Sequence, residues 1–69
     1  MRLDKSRFTA SHGQEPTGFG LWIFEHGSSR NRFEFTGTYG DALAALRRHA
    51  EQLAAATPLL NDGTWFLLP

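Results

Sequence analysis

The sequence predicts an α+β fold, a three-stranded, mainly antiparallel sheet in β-β-α-β order with one helix packed on one face. Three observations carry this. Phe19 to Phe24 is apolar at almost every position, as a strand covered on both faces requires. Arg32 to Thr36, "RFEFT", alternates strictly, as a half-exposed strand does. Tyr39, Leu43, Leu46, Ala50 and Leu53 recur at intervals of 4, 3, 4 and 3 residues, the spacing of one helical stripe.

Residues 1–18 are polar, mixed in charge and punctuated by Gly13, Pro16 and Gly18, which reads as an N-terminal arm and loop. Within them "RFTAS" has the alternation of a short edge strand. Residues 19–69 form the single α+β domain. Its first strand, Phe19 to Glu25, is rich in aromatic residues and flanked by glycines. "HGSSRN" is the turn, and Arg32 to Thr36 completes a hairpin, with Phe33 and Phe35 on one face and Arg32, Glu34 and Thr36 on the other. Thr38 is the expected N-cap of the following helix. Asp41, three residues on, suits the positive end of the helix dipole. The helix begins near Tyr39 and stops before Pro58, which cannot donate the next backbone hydrogen bond. Arg47, Arg48, Glu51 and Gln52 fall on its solvated side. After a turn at Asn61 to Gly63, Thr64 to Leu68 forms the last strand. The most apolar strand belongs in the middle, with Arg32 to Thr36 on one side and Thr64 to Leu68, antiparallel, on the other. An alternative pairs the last strand parallel with the second.

Length and composition narrow the function. From Met1 to Pro69 the chain of 69 residues reads as one complete small domain, a size that buries only about 60% of the surface its unfolded form exposes. With no cysteine, disulfides and thiolate metal sites are excluded. Seven basic and seven acidic residues give a formal net charge of zero, which argues against nucleic-acid binding through bulk charge. No signal-peptide pattern or long apolar run is visible, so a cytoplasmic location with no membrane contact is expected.

Chemical motifs are few. His12, His26 and His49 match no zinc spacing, so neither a metal nor a cofactor is expected. Ser11, His12 and Glu15 lie close along a loop, yet a catalytic triad is defined by spatial geometry, not adjacency. The glycines form neither a dinucleotide-binding nor a P-loop pattern. These readings argue against an enzyme, and no catalytic residue is assigned.

The informative feature is the sheet. One helix covers one face, whereas the central and last strands are apolar on both. Phe19, Leu21 and Ile23 point one way and Trp22 and Phe24 the other; Phe66 and Leu68 oppose Trp65 and Leu67. An uncovered apolar face of roughly 400 to 700 Å² is expected, a size monomers rarely leave open. Two closures fit: the N-terminal arm folds back with Leu3 and Phe8 as a lid, or a second copy or another protein docks. The docking reading takes Trp22, Phe24 and Trp65 as anchors and Arg30 and Arg32 as the rim. A second reading uses the basic turn "GSSRNR" with Trp22 or Trp65 as stacking platforms for single-stranded nucleic acid.

The layout "GLWIFE", "FEFTGTYGDALAALRRHA", "WFLLP" resembles very small strand, strand, helix, strand proteins of phages and other mobile elements, the anti-CRISPR proteins among them. That resemblance implies a non-enzymatic inhibitor that occludes a surface of a bacterial defence complex, and it transfers no individual residue.

Overall fold

The chain runs β1 (Arg2–Asp4), α1 (Ser6–His12), β2 (Phe19–His26), β3 (Arg32–Thr38), α2 (Tyr39–Ala56), β4 (Thr64–Leu67). The structure is a computed structural model that describes residues 2–27, 31–56 and 63–69. The sheet has four strands in the order β1-β4-β2-β3. β2 is therefore interior, antiparallel to β3 on one side and to β4 on the other, as its apolar run demands. The parallel alternative for β4 against β3 does not occur. Pro58 and the Asn61–Asp62 part of the expected turn lie outside the described residues.

The N-terminal segment departs from the expected arm. Arg2–Asp4 pairs parallel with β4, adding a fourth strand and making the sheet mixed. "RFTAS" is helical, not an edge strand, and two local devices hold that helix. The Asp4 carboxylate accepts the Ser6 backbone N–H at 2.8 Å and the Ser6 hydroxyl at 2.6 Å, satisfying a first-turn donor. Those bonds hold the Asp4 carboxyl below its ordinary range. At the other end Gly13 adopts φ 71°, a conformation that costs only glycine nothing, and its N–H bonds the Thr9 carbonyl at 2.9 Å. Phe8 and His12, one turn apart, stack with ring centroids 4.0 Å apart.

α2 follows the expected pattern. Thr38 Oγ1 accepts the Asp41 N–H at 3.1 Å, the expected N-cap bond. Leu46 and Ala42 are fully buried, and Tyr39, Leu43, Ala50 and Leu53 pack around them. Burial pushes the Tyr39 phenol above its ordinary range.

Register decides which face α2 covers. Trp22 pairs with Phe35 and Phe24 with Phe33, while Phe24 also pairs with Leu67 and His26 with Trp65. Cross-strand partners share a face, so both tryptophans, Phe24, Phe33, Phe35 and Leu67 gather under α2. The core is Trp22, Phe24, Ala42, Leu46, Trp65 and Leu67. Full burial of one such side chain contributes about 1.5–3 kcal/mol relative to exposure. Trp22 keeps its polar end satisfied by donating Nε1–H to the Gly37 carbonyl at 2.9 Å. Leu3 and Phe8 join the same core, Leu3 opposite Trp65 and Phe8 at 5.7 Å from the Trp22 ring. Leu3 and Phe8 thus extend the cover on the helix side and do not close the other face.

His26 was expected in the turn, but it ends β2 and is 1% exposed, edge-on to Trp65 at 5.2 Å. Gly63 makes room for it. A Cβ there would lie 1.6 Å from His26 Nε2.

Candidate interaction face

The side of the sheet away from α2 is built by the odd residues of β2 and the even residues of its neighbours. Along β2 it presents Phe19, Leu21, Ile23 and Glu25, and along β4 Thr64 and Phe66, with Leu68 following the strand. The Leu68 N–H bonds the Ile23 carbonyl at 2.8 Å, which keeps the two apolar columns adjacent beyond the end of β4. On the outer side β3 contributes Arg32, Glu34, Thr36 and Thr38; on the other, β1 contributes Arg2 and Asp4. An apolar strip two strands wide is thus flanked by polar columns, the arrangement of a contact patch with a polar rim.

Exposure along the strip is graded. Phe19 is 78% and Leu21 58% exposed, whereas Ile23, Phe66 and Leu68 are half-buried. Phe66 is partly covered because the Arg7 guanidinium lies 4.6 Å above its ring, an attraction of about 0.5–1 kcal/mol at an exposed site. At the same end Arg32 donates to the Glu25 carboxylate at 3.2 Å. Both partners are substantially solvated, so this pair orders the rim more than it stabilises the fold.

The anchors named from sequence lie on the face that α2 covers, not on the open one. Trp22, Phe24 and Trp65 are 5%, 0% and 2% exposed beneath α2. The physical reason is the hairpin register, which aligns Phe33 and Phe35 with Trp22 and Phe24 and so makes that face the bulkier one. Arg32 does reach the rim of the open face, and Arg30 lies outside the described residues. Phe19 and Leu21, read from sequence as one face of the strand, were not taken as anchors, and neither was Arg7. The first two were visible as the opposite parity of β2, and the third only once α1 was known to be helical.

Burial of both tryptophans also removes the stacking platforms on which nucleic-acid recognition was expected to rest.

Elsewhere a wide, shallow groove of about 720 Å³ runs between β1 and α1, with Asp4, Lys5 and Glu15 along it. Arg2 lines it as well, and most of its other charged groups are engaged locally. Lys5 and Glu15 form an ion pair, which raises the lysine pKa, and Asp4 is held low by Ser6. Both shifts keep the groups ionised near neutrality, the reverse of what a general acid or base needs. Among the described residues no group of three histidine, aspartate or glutamate side chains is placed to hold a metal ion, and no helix is long and apolar enough to cross a membrane.

Compared with protein-family models, curated proteins and solved structures, the chain matches none.

Proposed function

We propose that this protein is a non-enzymatic binding module that docks on another protein through the open face of its sheet. The observation that carries the reading is the pair Phe19 and Leu21, 78% and 58% exposed at successive same-face positions of β2, whereas the other large apolar side chains among the described residues are buried or half-buried. Exposed apolar residues scattered singly need no explanation, whereas two in register, continuous with Ile23, Leu68 and Phe66 and rimmed by Arg7, Glu25 and Arg32, make a patch of the kind that marks a contact site. Aromatic and arginine side chains in such a setting are the usual energetic hot spots. A module of this kind acts by occupying its partner's surface, which is how the mobile-element inhibitors it resembles work.

The test is affinity capture from a bacterial lysate with quantitative mass spectrometry on three chains of equal fold by circular dichroism. The wild type and Arg48→Ala, altered on exposed α2, should retain the same specific partner. Leu21→Asp should lose it, by roughly a hundredfold or more if Leu21 is a hot spot. Equal recovery with all three chains would sink the proposal.

A further inference from the structure

We infer that the free edge of β3 pairs antiparallel with β3 of a second copy, joining two four-stranded sheets through Arg32–Glu34 contacts across a two-fold axis at Phe33. The two ends of the sheet are unlike. β1 has 3 residues and leads into α1, whereas β3 has 7, paired with β2 residue for residue without a bulge and without proline. A long, regular edge of this kind is a template for another strand.

Two backbone bonds show which groups that edge offers. The Ile23 carbonyl accepts from Leu68 on the β4 side, and the His26 N–H donates to the Asn31 carbonyl on the β3 side. Even residues of β2 therefore face β3, and their register partners Phe33 and Phe35 bond inward. The N–H and C=O groups of Arg32, Glu34 and Thr36 point outward, and among the described residues no strand pairs with them.

Charge then selects the register. A two-fold axis at Glu34 sets that carboxylate opposite its own copy, which is repulsive. An axis at Phe35 matches Glu34 with Thr36 and Arg32 with Thr38, with no charge gain. An axis at Phe33 sets Arg32 opposite Glu34 twice, as outward-bonding pairs that each exchange two backbone hydrogen bonds. It also brings the two Phe33 side chains together at the closer, non-hydrogen-bonded spacing. Phe33 is half-buried, stacked on His49 at 4.7 Å, so its open flank is the part that a second copy covers. Two features favour the copy over a foreign strand. Arg32 and Glu34 are opposite in sign two positions apart, which is self-complementary only about that axis, and zero formal net charge leaves copies free of long-range repulsion. Among the residues of β3 this axis pairs only Arg32, Phe33 and Glu34 of each copy, so the association is weak.

The backbone groups of this edge are separate from the apolar strip of the open face, although the Arg32 side chain also belongs to that face's rim, and the comparison with Leu21→Asp separates the two. Sedimentation velocity from low micromolar to millimolar concentration should take the wild-type mass from 7.7 kDa towards twice that value. Glu34→Arg, which sets arginine against Arg32, should weaken association roughly tenfold or more, and the swapped Arg32→Glu, Glu34→Arg chain, carrying Glu25→Arg so that residue 32 keeps an opposite charge across the hairpin, should recover it. Glu34→Pro, which removes an outward N–H and leaves the bonds to β2 intact, should be monomeric and folded by circular dichroism. A wild type that stays monomeric throughout would overturn the inference. So would a dimer indifferent to Glu34→Arg, and if that dimer is abolished by Leu21→Asp, self-association belongs to the open face instead.

Discussion

Gly63 and His26 illustrate how one residue's absence of a side chain fixes another's position. The imidazole fills the space a Cβ would take, within 1.6 Å of Nε2 and 2.2 Å of Cε1, and its ring is 1% exposed, so it has little room to yield. Gly63→Ala should therefore cost about 1–3 kcal/mol by overpacking. In a His26→Ala background the same change should cost much less, because the ring it strikes is gone; thermal melts of the four chains in a double-mutant cycle measure the difference. Additive effects would mean that the two sites are independent. None of this was visible in "HGSSRN" or "NDGTW", since Gly and Asn there are explained equally well by turn chemistry. The same holds for Trp22 and Trp65. Their types suit an interface and a core alike, and only the pairing of Trp22 with Phe35 and of His26 with Trp65 decides between them.

The helices differ in how openly their sequences declare them. α2 spans 18 residues with a complete stripe and an N-cap, so its position and buried face could be read directly. Leu46→Ala, at a fully buried position, should cost about 2–5 kcal/mol, a large part of what a domain of this size possesses. Gln52→Ala, on the exposed side, should be neutral or stabilising by a few tenths of a kcal/mol through helix propensity alone. Circular dichroism melts of the two variants test this, and equal sensitivity would mean that α2 is covered on both sides. α1 is the contrary case. With 7 residues it completes two turns at most, too few for a hydrophobic period to register, and the strand before it has 3. Its signals were local and small: Asp4 two residues before Ser6, Phe8 four before His12, and Gly13 after the last turn. Together they spell a capped helix, but alternation at Phe8 and Ala10 spells a strand equally well.

The division into a polar arm and a 19–69 domain does not describe how the molecule closes its core. β1 lies beside β4 with Leu3 opposite Trp65, and Phe8 of α1 packs on Trp22, so residues near both ends of the chain meet across the sheet. A β-β-α-β unit on its own would leave Trp22 and Trp65 partly open at one flank, and a domain this small has little stability to spare. Deleting residues 1–13 should therefore remove about 2–5 kcal/mol, from the lost burial of Leu3 and Phe8 and the lost parallel pairing with β4. Tryptophan emission should shift to the red as water reaches the indoles, and the dye-binding apolar surface should grow. Phe8→Ala separates the contributions, because it opens the Trp22 flank while keeping β1 in the sheet. If the truncated chain melts and emits like the full one, residues 1–13 are an appendage and the cover over Trp22 is supplied by α2 alone; a chain that fails to fold while Phe8→Ala is only weakened would make the β1–β4 pairing the larger share.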